Sequence, residues 1–411
     1  MGCRNRPLSG HNAPVTLTDD QIHEALSSIL ERRDPDVPAT VLGAGSDDLG
    51  VGLRYLEALV DGGWMVPTWP VEHGGRGATD DEARRISAAL GDYASADLYP
   101  YGVGISLVGP VLRDRGTPEQ QDRWLRPIAD GSEIWCQMFS EPDAGSDLAN
   151  VGTRAVRDGD EWILTGSKVW TSRGAYSKWG MCLARTDPSL PKHRGLTMFA
   201  VDMHYPGIEV RPLVQVNGDR HFTEVFVSEV RVPDSDRIGD LGGGWGITIE
   251  TLAHERASLG GRSFGGSDED EGAVPGWLSG LAASGRLADA VARDRAMRAY
   301  VLDRVNRFTT ARAAAAMAGR DGVPGPEGSG AKLRSVAAFK ARAYLVKDLS
   351  GAAGMLDESS GHLAFLTAPS MSIRGGTDEV QRNIVGERVL GLPPEPRVDK
   401  DIPYSDIKKG R

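Results

Sequence analysis

Cysteine is scarce: Cys3, Cys136 and Cys182 are the only three in 411 residues. They are widely spaced and form no CxxC pair, so no disulfide framework is implied and the thiols are expected to be buried and unreactive. Aromatic residues make up only 6% of the chain, so aliphatic side chains and alanine must build most of the core. No run of 18 or more apolar residues is present, and none of the sequence reads as a transmembrane helix. The opening MGCRNRPLSGHNAPV lacks the apolar stretch of a secretory signal. It begins like an acylation signal but has Arg6 where Ser or Thr is required. A cytoplasmic protein is the expectation. Metal spacing is missing as well: His254-Glu255 is not followed by the second His of an HExxH, and no metal is expected.

Positive charge is in deficit. Lys and Arg total 47 against 57 Asp and Glu, for a net charge of −10 and a pI of 5.4. Nucleic-acid binders carry a basic face; here Arg alternates with acidic residues, which argues against duplex binding and against adsorption to an anionic membrane. A local amide-rich site can still hold an anionic cofactor. A chain of 411 residues is long enough for two or three packed domains.

The pattern along the chain divides accordingly. Residues 1–17 read as a loose tail. Thr18 and Gln21 have capping-box spacing, and Ile22, Leu26 and Ile29 follow at helical intervals. A second helix carries Leu49, Leu53, Leu56 and Val60 and stops at Gly62-Gly63. Residues 67–77 form a Pro/Gly loop, a helix starts after Asp80, and Thr117-Pro118-Glu119-Gln120 is another cap signal. Short β-rich runs then appear at 134–139, 161–166, 180–185, 196–201 and 224–232, with a hairpin signal at Asp158-Gly159. Beyond Gly242-Gly243-Gly244 helical spacing returns. Met297, Val301, Val305 and Phe308 share one face, and Val336, Phe339, Ala343 and Val346 another. Segments 261–276 and 319–330 read as loops. The fold class expected is α+β multi-domain: an N-terminal helical domain (18–131), a middle β-barrel-like domain (132–240) and a C-terminal four-helix bundle (241–411).

Two glycine-rich strings are decoys. Gly43-Ala44-Gly45 lacks the third glycine of a dinucleotide fingerprint. The string 325–332 (GPEGSGAK) places its Lys one residue late for a phosphate loop, with no Ser or Thr after it; a loop leading into a helix is expected.

The informative run lies at 136–179. It contains FSEPDAGSD (139–147) and GSKVWTSRG (166–174). These closely resemble the middle-domain signatures of the acyl-CoA dehydrogenase family. PVEHGGRG (70–77), GTPEQQDRWLRPIADG (116–131), GWGITIETLAHERA (244–257) and RGGTDEVQRNIVGERVLGLP (374–393) resemble further family motifs in the same order, so the likeness covers nearly the whole chain. The physical reading agrees, because a turn with Gly145 and Ser146 can present N–H groups and hydroxyls to a pyrophosphate.

The resemblance implies FAD and an acyl thioester, as acyl-CoA or acyl-carrier protein. In its terms Phe139 and Ser140 face the flavin pyrimidine, Ser146 the phosphates, Trp170 packs on the flavin and Ser172 lies near N5. Thr377 and Glu379, with Asp378, would sit beside FAD. Many members carry a catalytic Glu where this chain has Gly375; a subgroup instead carries it on the helix after the β domain, before an Arg. Here those positions are Glu255, the implied α-proton base, and Arg256, an implied orienting or substrate-contacting residue.

Two departures are visible. The family's Arg-x-x-Phe-Gly stretch is absent around residues 286–308, and its Gln-x-x-Gly-Gly-x-Gly stretch reads Asp348-Leu349-Ser350-Gly351-Ala352-Ala353-Gly354. The resemblance thus implies an electron-transfer acceptor and a homo-oligomer, or a heteromer with a related subunit. The alternatives are a partner subunit that completes another chain's FAD site, and a diverted oxidase or carrier-protein-bound acyl dehydrogenase.

Overall fold

Threonine hydroxyls start three of the N-terminal helices. The computed structural model describes residues 16–34, 49–261, 274–320, 325–356 and 360–407. Thr18 caps α1 (Asp19–Ser27) and Thr117 caps α5 (Pro118–Ala129), each through the reciprocal capping box its spacing predicts. Between them lie α2 (Leu49–Val60), α3 (Asp80–Leu90), which begins on the Thr79 cap, and α4 (Gly109–Arg115). One core gathers Ile22, Leu26, Leu59, Trp64, Ile86 and Tyr93. A second runs from Leu56, Val108 and Leu112 through Trp124 to Trp135, Trp179 and Leu196, so the helices and the sheet are sealed by one apolar layer. The scarce aromatics are concentrated there: Trp124, Trp135 and Trp179 pack with ring centroids 5.5, 5.6 and 5.9 Å apart.

The middle of the chain forms β1 (Trp135–Met138), β2 (Arg154–Asp158), β3 (Glu161–Ser172), β4 (Trp179–Arg185), β5 (Leu196–Asp202), β6 (Ile208–Leu213), β7 (Phe222–Pro233) and β8 (Arg237–Ile238). Their order is β6-β7-β3-β2-β4-β5-β8, with β1 parallel to β4. The Asp158-Gly159 signal marks the β2–β3 hairpin. The sheet curls, since Met138 of β1, Leu164 of β3, Phe199 of β5 and Val225 of β7 share one core. β3 extends six residues past the 161–166 run and shifts register between Lys168 and Thr171.

At Gly244 the chain leaves the sheet as α6 (Gly244–Gly261). A Cβ there would come within 2.8 Å of the Thr197 backbone, so only glycine permits this approach. Then follow α7 (Gly276–Ala283), α8 (Ala290–Ala318), α9 (Glu327–Leu349), α10 (Ser360–Thr367) and α11 (Asp378–Ile384). α9 is the hub, packed against α6, α8, α10 and α11. The loop read over 319–330 ends at Pro326, and Lys332 of the phosphate-loop-like string lies within α9. Val336 and Ala343 are buried on α9, whereas the α8 stripe of Met297, Val301, Val305 and Phe308 is exposed. Further on, the chain returns to the sheet: Tyr404 is buried with the Arg185 guanidinium 3.5 Å above its ring, and Asp399 meets Lys192. Cys136 and Cys182 are buried, and burial pushes their thiols up to about 12 and about 11. Cys3, the Gly43-Ala44-Gly45 string and nearly all of the acidic 261–276 loop lie outside the described residues.

Candidate active site

The end of β1 and the middle of β3 are tied together. Val169 donates its N–H to the Ser140 carbonyl at 2.9 Å, one residue before Trp170. Lys168, one residue before, is wholly buried. Its ammonium reaches the Phe139 carbonyl at 3.1 Å, the Leu183 carbonyl at 2.7 Å and the Glu141 carboxylate at 2.8 Å. Glu141 also accepts the Gly152 and Thr153 N–H groups at 2.7 and 2.9 Å. Burial alone would push the Glu141 carboxyl up; Lys168 and these hydrogen bonds hold it below the usual carboxylate range. The turn that follows, with Gly145 and Ser146, is exposed.

Trp170 is not a core tryptophan. It sits at φ +60°, is 59% exposed, and meets Phe222 edge-on at 5.8 Å. The register shift in β3 turns the indole outward while Thr171 stays buried. Ser140 and Ser172 are half-buried. A Cβ on Gly145 would meet no atom within 4 Å, which leaves the turn open. An open turn with a serine, a presented indole face and two flanking hydroxyls match what a flavin nucleotide requires: donors for phosphate and a flat apolar surface for the ring. The residues fit the group.

The C-terminal motif is built as a second anchored turn. Gly375 and Gly376 take φ +66° and +83°, left-handed values that glycine adopts freely. Gln381 donates to the Gly375 carbonyl at 2.8 Å, and Lys332 donates to the Gly376 carbonyl at 2.9 Å and to Asp378 at 3.1 Å. Burial pushes the Asp378 carboxyl up, but Ser372 and Lys332 hold it below the usual range. Thr377 caps α11 by accepting the Val380 N–H at 3.2 Å. Glu379 is exposed, 3.5 Å from Arg382. Glu255 is half-buried on α6, with Arg256 next on the same helix. Burial holds the preceding His254 below the ordinary imidazole value. α9 packs against α6, the helix that carries Glu255, and its Lys332 anchors the 375–378 turn.

Sequence reasoning missed a polar cluster that joins all three parts of the chain. Tyr99 from the helical region lies against the Ser172 side chain, with burial raising its phenol. The Arg173 guanidinium stands 4.8 Å over the Tyr99 ring, and His221 meets that ring edge-on at 5.3 Å. Arg374 acts electrostatically on both Tyr99 and His221. These residues are far apart in sequence, and only the presence of Arg374 and Arg173 within two quoted motifs hinted at them. Asp348, the departure beside the expected pyrophosphate region, is paired with Arg295 of α8 in its own chain.

Comparison with known proteins follows the same division. Acyl-CoA dehydrogenase N-terminal, middle and C-terminal domain models match residues 39–132, 136–230 and 242–390. Acyl-CoA dehydrogenase FadE34 of Mycobacterium tuberculosis is 39% identical over 339 residues; these span 82% of this chain and 46% of FadE34, so the chain corresponds to less than half of that relative. Acyl-CoA dehydrogenase IpdE1 of the same organism is 38% identical over 340 residues, covering 80% of this chain and 84% of IpdE1. Among solved structures, the Tcur3481-Tcur3483 steroid ACAD superposes with a TM-score of 0.72 at 28% identity, covering 86% of this chain and 91% of that one. The ChsE4-ChsE5 complex of M. tuberculosis shares the fold, with a TM-score of 0.67 at 24% identity over 92% of this chain and 97% of that one.

Proposed function

The chain belongs to the acyl-CoA dehydrogenase family of oxidoreductases, and from that premise we propose that it desaturates an acyl-CoA thioester at Cα–Cβ, with Glu255 as the base. Bound FAD would supply the two-electron acceptor, taking hydride from Cβ at N5. Glu255 removes the α-proton as the hydride leaves, and the electron pair of the Cα–H bond becomes the new double bond. The observation that carries this reading is the outward Trp170 indole, exposed where β3 shifts register, with Ser172 two residues on in the same strand. Trp170 would support the ring, Ser172 would hydrogen-bond beside it, Ser140 and the Phe139 backbone would meet its polar end, and Ser146 with Gly145 would receive the phosphates. Thr377, on the Lys332-anchored turn, and Glu379, at the start of α11, would border the nucleotide. Arg256 orients the acyl-CoA or the base. Gly375 brings no carboxylate where many family members carry the base, and Glu255 stands at the position a subgroup uses instead, ahead of Asp378 and Glu379 as the candidate.

A second reading has its own support. The Arg-x-x-Phe-Gly stretch is missing and Asp348 is engaged by Arg295, so the inter-subunit half of the cofactor site departs from the family pattern. In this reading the chain works in a heteromer with a related subunit, as the two-component name Tcur3481-Tcur3483 illustrates for a neighbour.

The test is the flavin content of the purified chain and acyl-CoA oxidation with a dye acceptor in wild type and Glu255→Gln. Loss of the base should lower kcat by about 10²- to 10⁴-fold, with flavin content unchanged. A variant that oxidises acyl-CoA at near wild-type rate removes Glu255 from the mechanism. A colourless chain that takes up FAD only when co-expressed with a related subunit favours the heteromer.

A further inference from the structure

His221 and Arg374 converge on a small cavity between the β6–β7 connection and the turn after α10. The cavity has a volume of about 50 Å³ and is lined by polar groups that include Gln215, Asn217 and Ser370. A single water needs about 10–15 Å³ measured this way, so there is room for a group of several heavy atoms.

Two lining side chains are incompletely partnered. His221 is 3% exposed; its Nδ1 faces the Asp219 carboxylate and the Gln215 amide, while Nε2 has no hydrogen-bond partner among the described residues. Among the described residues, the Arg374 guanidinium finds only the Met371 thioether as an acceptor, from Nε at 3.1 Å and from Nη2. Asp219 and Tyr99 act on it only through longer-range electrostatics, and burial holds it below the ordinary arginine value. A shielded cation whose direct acceptor is a weak sulfur lacks a contacting carboxylate, and a buried imidazole nitrogen lacks its hydrogen bond. A carboxyl group satisfies both. One oxygen accepts from Arg374 and the other meets His221 Nε2, with a single proton shared between carboxyl and imidazole.

The placement says what carries that carboxyl. Arg374 directly precedes Gly375, where the family's usual base stands, and Tyr99 links His221 to Ser172 beside the expected reacting centre. We infer that this cavity is a subsite for a carboxylate at the far end of the acyl group, so the enzyme favours ω-carboxylated acyl-CoA thioesters. The inference rests on the acyl-CoA reading above.

Anaerobic titration calorimetry of the flavin-loaded protein provides the test. Succinyl-, glutaryl- and adipoyl-CoA are compared with butyryl-, valeryl- and hexanoyl-CoA, pair by pair. At least one carboxyl-ended ligand should bind about tenfold or more tightly than its methyl-ended counterpart, the scale of a charged hydrogen bond. That ratio should fall to near one in Arg374→Met and persist in part in Arg374→Lys. Free glutarate, titrated alone, separates a subsite for any small carboxylate from one that needs the thioester; if it competes as well as glutaryl-CoA, the acyl-end assignment fails. No preference in any wild-type pair, in protein that binds the methyl-ended thioesters, overturns the subsite alone. Failure of every thioester to bind overturns the underlying reading and the subsite with it.

Discussion

Lys168 carries its charge into the interior of the sheet, and three oxygens define its place there. Replacing it by Met leaves the Glu141 carboxylate shielded and without its cation, a change that costs about 3–5 kcal/mol for a buried pair. The lower end is expected, because the Gly152 and Thr153 N–H groups still serve Glu141. Lys168→Met should therefore melt earlier than wild type by scanning calorimetry. The pH dependence has a definite sign. The folded Glu141 carboxyl lies below its ordinary 4.5, so its contribution is complete above about pH 4.5 and is lost as pH falls through the folded value. Thermal midpoints between pH 3 and 6 should rise more steeply with pH in wild type than in Lys168→Met; equal slopes would deny the pair its role. The candidate site residues divide by visibility. Trp170, Ser172 and Glu255 stand in contiguous motifs, so the sequence alone nominates them. Tyr99, His221 and Arg374 acquire meaning only when three distant segments meet, and no local pattern encodes that.

Capping shows how much an element's start can be read from four residues. The Thr117 hydroxyl accepts the Gln120 N–H at 3.3 Å, but the Gln120 amide also donates to the Ser235 and Arg237 carbonyls at 2.7 and 2.9 Å. The same side chain thus starts α5 and fastens it to the segment that leads from β7 into β8. Thr117→Ala should cost about 1 kcal/mol. Gln120→Ala should cost about 2–4 kcal/mol, because it leaves two carbonyls beneath a buried side chain without a donor. Urea midpoints of the two variants give the order, and a Thr117→Ala that matched Gln120→Ala would mean the cap alone matters. The helices with such caps were read correctly from sequence. β2 and β6 were not, for a physical reason: four of five β2 residues are exposed and β6 alternates without an apolar run, so neither bears the hydrophobic signature of a covered strand. Their existence is imposed by β3 and β7, which pair with them.

At the scale of the whole molecule, α8 leaves a question that a single chain does not answer. Met297, Val301, Val305 and Phe308 form a continuous apolar line, and Val301 and Phe308 are 56% and 62% exposed. Soluble monomers rarely leave such a stripe to water, and the adjoining surface carries the Arg295–Asp348 pair. Wild type should be multimeric by light scattering after gel filtration, and Val301→Glu with Phe308→Glu should shift it toward monomer; a monomeric wild type would refute this. The return of the chain to the sheet has a different consequence, one of timing. Arg185 waits for Tyr404, and Lys192 for Asp399. Translation proceeds at roughly 5–20 residues per second. The face of the sheet that holds Arg185 therefore emerges from the ribosome roughly ten to forty seconds before the segment that covers it. During that interval Lys192 has Asp147 but not Asp399, and the Arg185 guanidinium keeps its carbonyl acceptors while its outer face lacks the Tyr404 ring, so the last contacts of the sheet wait for residues that follow the helical bundle.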